Sequence, residues 1–85
     1  MNTTIVSEMF RLTITGDFDK KAVRRMSARL AKFGSVKKNF FFPKSKTLKA
    51  GVQFSVTTVH NVADLKTVLE QISGVTKVHV EANHA

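Results

Sequence analysis

The chain has no cysteine, tryptophan or tyrosine, a single proline, and only six acidic residues against fourteen lysines and arginines in 85 positions. The missing cysteine excludes disulfides, thiolate metal sites and cysteine nucleophiles. No run of about 18 apolar residues is present, so no segment is expected to cross a membrane as a helix. Residues 1–7 carry neither a basic start nor an apolar stretch, so no secretion signal is expected and the expected compartment is the cytoplasm. The four glycines stand singly, at positions 16, 34, 51 and 74, and none belongs to a glycine-rich phosphate loop. His60, His79 and His84 lack the spacing of metal ligands and have no carboxylate pair beside them in sequence. The serines lack a nucleophile elbow. These absences lead to an expectation of no catalytic residues, no metal and no cofactor: the protein is not expected to be an enzyme.

Basic charge is what the chain does have. Net charge is +8, eleven of the fourteen lysines and arginines fall between Lys20 and Lys49, and no acid occurs between Asp19 and Asp64. Such a block makes one part of the surface positive and favours anionic partners. A solvated face that keeps a small protein soluble accounts for it equally well.

Eighty-five residues make one domain with one modest core, with residues 1–4 and 83–85 expected to be frayed tails. Phe10, Leu12 and Ile14 alternate with Arg11, Thr13 and Thr15, which is the pattern of a half-buried strand. Gly16 and Asp17 break it, and Asp19 is placed to cap a helix whose apolar stripe is Val23, Met26, Leu30 and Phe33. Lys21, Arg25, Arg29 and Lys32 form a ridge on the other side of that helix. Gly34 is expected to stop it, and Val36 to Phe42 gives a second strand ending at Pro43. Residues 43–49 form a basic turn. Val52, Phe54 and Val56 then alternate with Gln53, Ser55 and Thr57. A second helix starts at Asn61, with Asp64 three residues on, and carries Leu65, Val68, Leu69 and Ile72 to a stop at Gly74. Val78 and Val80 alternate with Lys77, His79 and Glu81 in a last strand.

The order is βαββαβ, an α+β ferredoxin-like arrangement with both helices on one face of a four-stranded antiparallel sheet. The expected core is Phe10, Leu12, Ile14, Val23, Met26, Leu30, Phe33, Phe54, Val56, Leu65, Leu69, Ile72, Val78 and Val80. Simple alternation along the second strand places Phe40 and Phe42 under the helices and Phe41 on the open face, although a bulge would invert this. Arg11, Gln53, Lys77 and His79 join Phe41 there as the expected open-face interface.

The spacing Val23, Met26, Leu30, Gly34, Val36, followed by Gly51 to Thr57 and then Leu65, Leu69, Ile72, Gly74, Val75 and Val78, resembles a small ACT domain from Phe10 to Ala82. In length and spacing the chain is similar to the short regulatory subunits of acetohydroxyacid synthase. The resemblance implies a non-catalytic regulatory or protein-interaction subunit that dimerises through its sheet. It also implies an amino-acid sensor at the first strand–helix loop, but the loop Gly16–Lys20 lacks the glycine that such sites place at the helix start. Close backbone approach of a ligand carboxylate is thereby hindered.

The same topology resembles an RNA-recognition motif: Lys32 to Val36 is similar to that family's helix exit, and Lys49 to Val56 falls at its third-strand motif. Thr13, Gln53 and Ser55 stand where that family stacks bases on aromatic rings, which leaves phosphate contact as the implied mode. Two classes of function follow. One is an ACT-like regulatory or interaction subunit, a homodimer or the partner of another protein. The other is a basic module that binds RNA or DNA, or that grips an acidic protein surface as an inhibitor or accessory protein does. Both use the candidate anion-binding residues Lys21, Arg25, Arg29, Lys32, Lys37, Lys38, Lys44, Lys46 and Lys49.

Overall fold

In the computed structural model, which describes residues 6–82, the chain runs β1 (Glu8–Gly16), α1 (Lys20–Leu30), β2 (Gly34–Phe42), β3 (Ala50–Thr58), α2 (Val62–Glu70) and β4 (Val75–Ala82). The expected frayed tails and His84 lie outside the described residues. The strands form one antiparallel sheet in the order β2-β3-β1-β4, which is the expected α+β ferredoxin-like fold. Among the described residues no helix is long and apolar enough to cross a membrane.

Both helices begin where the sequence offers a side-chain acceptor to the free amides of a first turn. The Asp19 carboxylate accepts from Ala22 N at 3.1 Å, and the Asn61 side chain accepts from Ala63 N at 2.9 Å. The bond from the Ala22 amide is the main reason the Asp19 carboxyl sits below the ordinary aspartate pKa. The helix ends differ from expectation. α1 stops at Leu30, and a turn closed by Phe33 N donating to Leu30 O (2.9 Å) follows. Gly34 is not the helix stop but the first residue of β2, where a Cβ would collide with the Thr57 carbonyl oxygen.

The core fills the space between the sheet and the helices. Leu12, Ile14, Val52, Phe54 and Val56 from the sheet and Met26, Leu30, Leu65 and Leu69 from the helices are fully buried. Burial of this apolar surface is the main force holding the helices to the sheet. Phe33 and Val80 only flank this core, and four residues outside the expected list join it: Phe18, Ala22, Ala50 and Val52. Phe18 is buried although it stands between two exposed aspartates, because the β1–α1 loop folds over the core and is held there by Asp17 N donating to Gly74 O at 2.8 Å. Thr58, the buried polar residue among those described, donates its hydroxyl to Phe33 O (2.7 Å) and accepts from His60 N (2.9 Å).

β2 corrects one expectation outright. Its register against β3 is regular from Gly34↔Thr58 to Lys38↔Phe54, then shifts, so that Phe40 pairs with Gln53, Phe41 with Val52 and Phe42 with Gly51. Asn39 is the extra residue of a β-bulge, which reverses the faces of everything after it. Phe41 therefore packs against the core instead of lying on the open face, and Phe40 and Phe42 lie on the open face with Gln53 and Gly51.

Candidate binding surfaces

The register sorts the open face into rows across the sheet. Lys37, Ser55, Arg11 and Glu81 make one row; Phe40, Gln53, Thr13 and His79 the next; Phe42, Gly51, Thr15 and Lys77 the third. Arg11, Gln53, Lys77 and His79 all lie in these rows. In the middle row the side chains are tied together: Asn39 Nδ2 donates to Gln53 Oε1 (3.0 Å) and Ser55 Oγ (2.8 Å), and Gln53 Nε2 donates to Thr13 Oγ1 (3.2 Å). His79 Nε2 lies 3.3 Å from Glu81 Oε1. At the β2 end the rings of Phe40 and Phe42 meet with centroids 5.1 Å apart at an interplanar angle of 44°.

The nine candidate cations do not form one patch. Lys21, Arg25, Arg29 and Lys32 are exposed along and just beyond α1, which carries no acidic residue. Lys37 lies on the open sheet face, on the opposite side of the molecule from the helices. Lys38 stands on the helix side, where with Lys20, Arg24, Val23 and Phe41 it lines a hollow of about 220 Å³ between α1 and β2. Lys20 and Arg24 fall outside the expected group, because they flank the Lys21–Arg25–Arg29–Lys32 ridge and the position of β2 is what brings Lys38 to them.

Lys44, Lys46 and Lys49 sit in the β2–β3 loop, which is shaped by the Ser45 hydroxyl accepting from Leu48 N (3.1 Å) and by Ser45 N donating to Leu48 O (2.9 Å). With Gly16 and Asp17 this loop lines a hollow of about 370 Å³. Lys44 Nζ lies 2.6 Å from Asp17 Oδ1, and that hydrogen bond raises the Lys44 pKa. Asp17, Asp19, Arg25 and Lys44 border a second hollow of about 260 Å³, so the helix ridge meets carboxylates at its N-terminal end. Among the described residues no three histidines or carboxylates gather as metal ligands would.

No family model matches the chain, and no curated protein matches it in sequence. Solved structures do match in shape. An uncharacterized protein from Thermotoga maritima superposes with a TM-score of 0.69 at 21% identity, over 93% of this chain and 100% of its own. The ACT domain from the GTP pyrophosphokinase of Chlorobium tepidum superposes with a TM-score of 0.61 at 11% identity, over 89% of this chain and 100% of that domain. A homoserine dehydrogenase from Thiobacillus denitrificans gives a TM-score of 0.63 at 18% identity, over 92% of this chain but only 18% of its own. The fold is ACT-like.

Proposed function

We propose that this chain is a non-catalytic regulatory module of ACT-like type that acts by association, pairing with a second copy along β4 and presenting α1 to an anionic partner. The observation that carries the reading is the self-complementarity of β4. It is one of the two sheet edges, and an edge strand is a template for pairing unless it is blunted. β2, the other edge, is blunted by the Asn39 bulge and by Lys37 and Lys38.

Antiparallel pairing of two β4 strands about His79 sets Lys77 opposite Glu81 of the second copy on the open face. On the helix face it sets Val78 opposite Val80. Opposite charges and apolar pairs directly across a ladder are the favourable cross-strand contacts, and a symmetric interface gives each of them twice. The ACT fold of the C. tepidum domain supports the regulatory class. The acid-free surface of α1, with Lys21, Arg25, Arg29 and Lys32, supports an anionic partner.

Sedimentation equilibrium tests the pairing. The wild type is expected to be a dimer, Lys77→Glu to weaken it by setting glutamate against Glu81, and Lys77→Glu with Glu81→Lys to restore it. A wild-type monomer at high concentration overturns the reading.

A further inference from the structure

Beyond that reading, and on the opposite side of the sheet from α1, the geometry points to a second binding site: we propose that the open sheet face is a stacking platform for single-stranded nucleic acid, with Phe40 and Phe42 as its rings. The bulge at Asn39 turns both rings to this face, where they touch each other at 5.1 Å between centroids. Phe42 is 63% exposed, so its ring is open to a planar group. Its neighbour across the ladder is Gly51, where an added Cβ would have nothing within 4 Å. The bare backbone beside an exposed ring leaves a flat, unfilled place into which a planar group fits.

The rest of the face selects the occupant. Arg11 and Lys37 flank Ser55 in the adjoining row, and across the same row the only carboxylate is Glu81, which is engaged with His79. With a net charge of +8, a second copy laid face to face would set these cations against themselves, whereas a polyanion neutralises them. Aromatic rings beside cations on an open surface are what a single strand uses: bases stack while lysine and arginine track the phosphates. Asn39, Gln53, Ser55 and Thr13 are hydrogen-bonded to one another, so the floor between rings and cations is held rigid and does not compete for base edges. The site therefore takes single strands with little sequence preference.

The test is fluorescence anisotropy of the whole chain with a labelled oligo(dT) and with an abasic oligonucleotide of the same length, which has the phosphates without the bases. Stacking predicts tighter binding of oligo(dT), by about 5- to 150-fold per stacked base. Phe42→Leu, which keeps the apolar bulk, should reduce that preference and the Phe40→Ala/Phe42→Ala pair should remove it, in both cases without weakening abasic binding, while Phe42→Tyr should retain it. Gly51→Val gives a second route: valine suits a strand and its Cβ would have nothing within 4 Å, yet the side chain fills the place a base would occupy and should also reduce the preference. Equal binding of the two oligonucleotides by the wild type overturns the proposal. So does an unchanged preference in the Phe42→Leu and Gly51→Val variants, or a loss of self-association in those variants with oligonucleotide binding intact, which would make the face a contact between copies. Dimerisation along β4 is read separately by sedimentation, so neither result decides the other.

Discussion

Gly16 and Gly74 are fitted backbone to backbone. A Cβ on Gly16 would fall on the Gly74 carbonyl oxygen, and a Cβ on Gly74 would fall on the Asp17 carbonyl oxygen. Gly74 also has φ +93°, a conformation that side-chain-bearing residues rarely adopt. This contact closes the β1–α1 loop against the start of β4 and holds Phe18 over the core. Gly74→Ala should cost about 1–2 kcal/mol for the left-handed backbone and a further 1–3 kcal/mol, roughly, for overpacking. Gly16→Ala should incur only the second. Urea denaturation of the two variants checks both; equal stability to wild type would mean that the loop is held by other means.

Leu30, at the last turn of α1, is fully buried, with no exposed surface. Leu30→Ala should destabilise the domain by about 2–5 kcal/mol, the range for truncating a packed leucine. A loss below about 0.5 kcal/mol in denaturant titration, the size of an ordinary surface change, would place a different helix face against the sheet.

The cap at Asp19 has a pH signature. The Ala22 amide lowers its carboxyl pKa in the folded state, so the unfolded chain binds the proton more readily. The stabilisation is then complete above the ordinary aspartate pKa and is lost as pH falls through the depressed folded value. Thermal unfolding from pH 7 down to pH 2 should show this acid-side loss. Asp19→Asn should keep the cap and lose that part of the pH dependence, whereas Asp19→Ala should lower the melting temperature at neutral pH. Identical acid profiles for wild type and Asp19→Asn would remove the cap from the account.

Residues whose neighbours in sequence are also their environment were legible in the sequence alone. Asp19 and Asn61 cap the helices that follow them, and Met26, Leu30, Leu65 and Leu69 repeat at helical spacing, so element order and most of the core follow from local pattern. Three features depend on distant chain and were not readable. Phe18 looks like loop because two aspartates flank it, and the closing of that loop against Gly74 buries it. The cations cluster along the chain but distribute over α1, the open face, the α1–β2 hollow and the β2–β3 loop, because linear density does not specify a face. The three phenylalanines of β2 depend on register, which alternation assumes to be unbroken. The one local hint was an asparagine within an otherwise strand-forming run, a residue depleted from strands.

The reversed faces separate two phenylalanines that are adjacent in sequence. Phe41 is half-buried against the core and Phe42 is mostly exposed. Phe41→Ala should cost up to the lower end of the roughly 3–5 kcal/mol seen for buried phenylalanine, while Phe42→Ala should stay within about 0.5 kcal/mol of wild type. Asn39 and Phe40 together occupy the place of one residue opposite Gln53, so deleting Asn39 should regularise the ladder without turning any phenylalanine over. The deletion gives up the exposed hydrogen bonds from Asn39 to Gln53 and Ser55, and it should leave a folded protein in which Phe41 still lies across from Val52. Nuclear Overhauser contacts between Phe41 and Val52 in the deletion variant read this directly. Their replacement by contacts from Phe40 or Phe42 would mean that β2 takes its register from hydrophobic burial in the unbulged frame, and that the bulge is not what sets the aromatic face.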